Sequence, residues 1–180
     1  MKCGGLASAL FDEVRQRVTS VFQVLRNLLF GHKEVISSIE IKGGRDFCQA
    51  VKKALLLLNE RDAPTFNLVN QHLDLIVQSG KTLLEPGRDV AILGLEEKEA
   101  KDSSQSWLAC LLACKALQAK LFSDYKTQNT KFSKVPEAAY TGEKTWNFMY
   151  ECLKRIGASY EELQHLKDFI EKEREKTESK

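Results

Sequence analysis

The residues with the richest chemistry in this chain are five cysteines, Cys3, Cys48, Cys110, Cys114 and Cys152, and three histidines, His32, His72 and His165. Cys110 and Cys114 stand four residues apart in the run WLACLLACKALQAKLF, which places them on one face of a helix. Two thiolates at that spacing make half of a soft-metal site, which Cys48, Cys152 or a histidine would complete, and two thiols are equally a redox couple. The same spacing also suits two small buried hydrophobes, the usual state of a free cysteine. Nucleophilic catalysis by either thiol needs a neighbouring base, and the sequence places no histidine beside them. Lys115 follows Cys114, but successive helical positions diverge by about 100°, so its ammonium points away from that thiol. The histidines fall in three different segments with no pair four residues apart, so no His-Glu-x-x-His zinc helix is formed. His72, between Val69 and Ile76, reads as an edge or satisfied core residue. Glycine patterns for a nucleophile elbow, a phosphate loop or a dinucleotide fold are absent from the sequence. On these grounds no catalytic residue, no metal site and no cofactor is assigned.

Several elements must position these residues. Apolar side chains from Leu6 to Leu29 recur every three or four residues and end at Gly31, which predicts an N-terminal amphipathic helix over 6–30. It packs on the domain or serves as a docking face for a partner or a membrane surface; few Lys or Arg on its polar side weigh against the membrane. Residues 35–42, VISSIEIK, alternate in their second half and predict one strand ending at Gly43-Gly44. A helix comes next over 46–59. Asp62 or Thr65 caps the next, with Pro64 near its start, and Phe66, Val69, Leu73 and Ile76 extend its period to Gly80. DVAILG, 89–94, predicts a second strand, and 96–105 reads as a solvated loop. Ser103 or Ser104 then caps a helix over 105–125, apolar nearly all round and therefore central. Residues 127–136 read as a polar connection. A helix over 139–156 stops at Gly157, and Ser159 with Glu162 forms a capping box for a last helix to about Lys172. The tail 173–180 is charged throughout and is expected to fray.

Composition sets the frame. The chain has 180 residues, and 27 Lys+Arg against 25 Asp+Glu give a net charge of +2. That length suits one domain with a real core. Apolar content of 43% is too high for a disordered chain, and 10 glycines with 3 prolines do not supply a turn-rich β-sandwich. The near-neutral balance offers no electrostatic footprint for nucleic acid. No run reaches the roughly 20 apolar residues needed to cross a bilayer, and Asp12, Glu13, Arg15 and Arg17 interrupt the N-terminal apolar patch too early for a secretory signal. Lys2 stands where N-myristoylation needs glycine. An odd cysteine count without Cys-x-x-Cys pairs fits reduced thiols, so a cytoplasmic address is expected.

The order of segments over about 36–170 resembles small bacterial zincin-like metallopeptidases. Their strand and the helix after it are similar to IEIKGGRDFCQAVKKALLLL, and their Pro-initiated helix to APTFNLVNQHLDLIVQSG. Their active-site helix, W-x-A-S-x-x-x-H-E-A-x-H-x-x-x-Y, resembles the run with Trp107, Ala109, Cys110, Cys114, Lys115, Ala116, Gln118 and Phe122. Beyond that helix, Val135-Pro136, Gly142 and Leu153 to Ala158 resemble the family's closing segments. The resemblance implies an α+β, mostly helical, zincin-like domain over 35–172 with a small sheet of two or three strands. It puts Cys114 and Gln118 where the two zinc-binding histidines would stand and Lys115 where the general base would stand. Its third ligand, a carboxylate of the next helix, falls within a turn of Glu143. Gln118 offers zinc only a weak amide oxygen, and an ammonium at Lys115 repels a cation and takes no proton from its water. The resemblance therefore implies the scaffold and argues against the enzyme. If an ion pair has replaced the metal, Lys115 should be buried and matched by Glu143.

Three function classes remain open. The first is a non-catalytic binding or regulatory domain on a degenerate scaffold with a protein or peptide partner, whose former cleft, lined by Trp107 and Trp146, would hold a peptide or small molecule without cleaving it; ordinary core packing accounts for the same tryptophans. The second is a thiol- or metal-binding protein using Cys110 and Cys114. The third is a helical adaptor unrelated to peptidases that docks through 6–30. The sequence assigns no oligomeric state.

Overall fold

The computed structural model describes residues 31–86, 91–129 and 135–178, so the helix expected over 6–30 lies outside the described residues. The expected strand over 35–42 is instead a hairpin. β1 (His32–Ile36) pairs antiparallel with β2 (Ile39–Gly43) around Ser37-Ser38. Ser37 takes φ +56° without being glycine, and Asn70 anchors the turn by accepting the Ser38 N–H on its side chain at 3.1 Å. A distant residue thus supports a turn that carries no Asn-Gly or Asp-Gly signal.

From β2 the chain enters α1 (Arg45–Arg61), which buries Phe47, Val51, Ala54, Leu55 and Leu58 on one face. Asp62 caps α2 (Ala63–His72), accepting the Thr65 N–H, with Pro64 in the first turn. The helix expected to run to Gly80 stops at His72, where Leu73 is already extended. Leu75–Ser79 is β3, parallel to β2. Leu73 and Ile76 fit a helical repeat as well as a short buried strand. Ile76 and Val77 are both buried here, as central parallel strands require.

β4 (Leu83–Pro86) returns antiparallel to β5 (Ala91–Glu96), which also pairs parallel with β3. Among the described residues the sheet has five strands in the order β1-β2-β3-β5-β4, rather than two or three. Its centre is parallel and both edges are antiparallel. The expected loop over 96–105 contains a short helix, α3 (Glu97–Asp102), which buries Ala100 and carries a Glu97–Lys101 ion pair one turn apart.

α4 (Gln105–Gln128) is the central helix, capped by Ser104, which accepts the Trp107 N–H at 3.0 Å. It buries Leu108, Ala109, Cys110, Leu112, Ala113, Cys114, Ala116, Gln118 and Ala119 against α1, α2 and the next helix. The helix expected from 139 divides into a 3-10 turn (Glu137–Ala139) and α5 (Glu143–Ile156), because Gly142 takes φ +93° between them. Gly157, at φ +76°, ends α5 in the left-handed conformation that favours glycine. The Ser159–Glu162 capping box is formed, with each backbone N–H given to the other side chain. It opens α6 (Tyr160–Glu178), which continues past 172 where fraying was expected. Arg174 holds Glu143 and ties that last stretch to α5. The architecture is α+β and mostly helical, and no helix among the described residues is long and apolar enough to cross a membrane.

Candidate functional site

Cys114, Lys115 and Gln118 occupy the middle of α4, where it faces α5. Cys114 is 4% exposed and Gln118 8%. The Cys114 thiol donates to the Thr145 carbonyl at 3.6 Å, so this face meets the first turn of α5. Gln118 Nε2 lies 4.0 Å from Cys114 Sγ, a weak contact at the outer limit for sulfur. Lys115 Nζ donates to Gln118 Oε1 at 3.2 Å. The three positions form one continuous chain, from the ammonium through the amide and thiol to a backbone carbonyl. Thr145 is fully buried, and its hydroxyl donates to the Gly142 carbonyl at 2.8 Å.

Glu143 does not join this chain. It is exposed and accepts from Arg174, so the expected ion pair with Lys115 is replaced by Lys115–Gln118 and Arg174–Glu143. Two residues along the helix decide this: Thr145 points into the seam and Glu143 points out. The register allowance of one turn included Thr145, which offers an oxygen but no charge.

Burial pushes the Cys114 thiol up, with the Lys115 ammonium and the Thr145 hydrogen bond only partly opposing it. The Gln118 amide oxygen is already taken by Lys115, and an amide is a poor match for zinc, which wants thiolate, imidazole or carboxylate ligands. Among the described residues there is no group of three or more His, Cys, Asp or Glu side chains arranged to hold a metal.

The cysteines are grouped differently from the expected pair. Cys110 and Cys114 share a face, but Cys110 meets Cys152 of α5, with Sγ atoms 2.9 Å apart and both residues fully buried. Cys48 is buried elsewhere, beneath β1, giving its thiol to the His32 carbonyl at 3.5 Å. Trp107 packs on His165 and Trp146 on Phe169, each with ring centroids 5.4 Å apart, so α6 covers both.

Two open clefts among the described residues lie elsewhere. One of about 390 Å³ sits past the carboxyl ends of β3 and β5, lined by Ser79, Gly80, Glu96, Glu97, Lys98, Lys101 and Asp102. Another of about 420 Å³ runs between α1, α3 and α4 and includes Asp46, Gln49, Lys53 and Gln105. Both mix charges of either sign, and neither reaches Cys114 or Gln118.

Asp62 was expected only as a cap, yet it does more. Its carboxylate receives Arg155 Nε at 2.7 Å and so joins the start of α2 to the end of α5. Arg155 also donates to the Thr65 hydroxyl at 3.2 Å. A separation of 93 residues left no local signal for this pair. No protein-family model, no curated protein and no solved structure matches this chain.

Proposed function

We propose that this chain is a non-catalytic binding or regulatory domain, a pseudoenzyme on a zincin-like metallopeptidase scaffold. One observation carries the reading. The three side chains at the degenerate motif positions, Cys114, Lys115 and Gln118, are engaged with one another and with the Thr145 carbonyl inside the α4–α5 seam. The motif helix packs against the helix that carries the third ligand in the family, and the positions that would hold zinc face that helix. The side chains found there supply contacts between helices rather than lone pairs for a cation. A cation placed among them meets an ammonium, because Lys115 stands where the family's general base would take a proton from its water. The partner class is a protein or peptide, with no role for nucleic acid, and the address is cytoplasmic.

The metal-binding alternative draws less support, because the sulfur nearest Cys110 belongs to Cys152 and both are sealed from solvent. The test is zinc content and casein hydrolysis of the purified full chain with zinc added. The proposal expects neither bound zinc in stoichiometric amount nor zinc-dependent cleavage. Cleavage abolished by Gln118→Ala or Cys114→Ala would overturn it.

A further inference from the structure

Three of the four described cysteines share the seam between α4 and α5. Cys110 and Cys152 approach to 2.9 Å, well inside the ~3.5–4.0 Å at which non-bonded heavy atoms normally rest. The two cysteines are 42 residues apart in sequence, so a bond between them would close a long loop. We propose that Cys110 and Cys152 form a reversible interhelical disulfide that locks α5 onto α4. The inference does not rest on the metallopeptidase reading. It concerns the same seam, however, since Cys114 and Gln118 face it one and two turns further along α4.

Closed, the seam protects the pair. Both residues are fully buried, and burial together with the Cys152 hydrogen bond pushes the Cys110 thiol far up, so no thiolate stands ready. Reaction requires α5 to part locally from α4. The co-reactant is a hydroperoxide. The exposed thiol loses its proton to water, and its thiolate attacks one peroxide oxygen. The O–O bond breaks, leaving a sulfenic acid, and the departing oxide takes up a proton. When the seam closes, the second sulfur attacks the sulfenic sulfur. The S–S bond forms, the S–O bond breaks, and water leaves with the second thiol's proton. Two electrons pass from the two sulfurs to the peroxide, and a dithiol reverses the change.

The test uses the full chain treated with hydrogen peroxide, in buffer and in urea below its unfolding midpoint, and then peptide mapping without reduction. The expected product is a Cys110–Cys152 cross-linked peptide that forms faster in urea. It should raise the melting temperature by several degrees, and dithiothreitol should abolish the rise. Cys114→Ala should keep both the cross-link and the rise, and Cys152→Ser should lose both. A dominant cross-link between any other two of the five cysteines would overturn the proposal. So would thiols that stay free, or oxidise to sulfinic acid without cross-linking, in the urea-opened protein.

Discussion

Replacing Asp62 by alanine should cost far more than an exposed acidic residue does, because its carboxylate performs two tasks at once. It caps α2 by accepting the Thr65 N–H and holds Arg155 at 2.7 Å, with its own side chain only 4% exposed. Loss of a cap costs about 1 kcal/mol. Loss of a charge-assisted hydrogen bond costs about 1.5–3 kcal/mol. Arg155 is 43% exposed and can return to water, so Asp62→Ala strands no buried charge, and the expected total is about 2.5–4 kcal/mol. Arg155→Ala leaves the buried carboxylate without its cation and should cost at least as much. Urea unfolding of the two single variants and the double variant measures both costs and their coupling. The double variant should fall short of the sum by about 1–3 kcal/mol, as expected for residues in contact. Costs below about 0.5 kcal/mol, typical of an unconnected surface site, would refute the reasoning. So would strict additivity. The pH dependence comes from the same contacts. Burial alone would raise the Asp62 carboxyl, but the Thr65 and Arg155 hydrogen bonds outweigh it and hold it below the usual carboxylate range. A depressed folded-state value means the stabilisation is complete above the unfolded value of about 3.9 and is lost as pH falls through the lower folded value. Asp62→Asn should therefore flatten the acid limb of stability against pH.

Gly157→Ala puts a side chain at φ +76°, where the neighbouring space is open but the backbone is unfavourable, and should cost about 1–2 kcal/mol in a urea or thermal melt. A neutral result there would mean that α5 does not end in the left-handed conformation. Gln78→Leu removes the oxygen that accepts the Gly44 N–H at 2.6 Å, leaving a donor unpaired at the start of α1. The expected cost is about 1–3 kcal/mol, and faster amide exchange should appear at Gly44 in particular.

What could be read from the sequence was whatever local chemistry writes there. Ser104 and Asp62 cap helices as their residue types suggest, Gly157 stops α5, and Ser159 with Glu162 forms its capping box. The elements misread were those decided from a distance. β3 is a short apolar run whose spacing also suits a helix, and only pairing with β2 and β5 settles it. The β1–β2 turn depends on Asn70, and the last turns of α6 are tied by Arg174 to Glu143. In the site, the shared face of Cys114 and Gln118 was legible from helical spacing, and Cys110 lies on it as well. Its partners were not, because Thr145 and Cys152 arrive from another helix. Glu143 was favoured for its charge, yet the residue that points inward is Thr145.

The proposed function has Cys114, Lys115 and Gln118 standing at the positions of a lost zinc helix. Zinc binding by variants that restore its ligands tests this most directly. The triple variant Cys114→His, Lys115→Glu, Gln118→His rebuilds the motif. Gln118→His alone pairs the native Cys114 thiol with an imidazole one turn away, should the bulkier set disturb the seam. With folding checked by circular dichroism, zinc is measured after dialysis, and cobalt substitution reports the ligand geometry. The expected result is no stoichiometric zinc in the native chain and one tightly held zinc in a folded variant. A folded variant that binds no metal, or a native chain that already carries one equivalent, would contradict it.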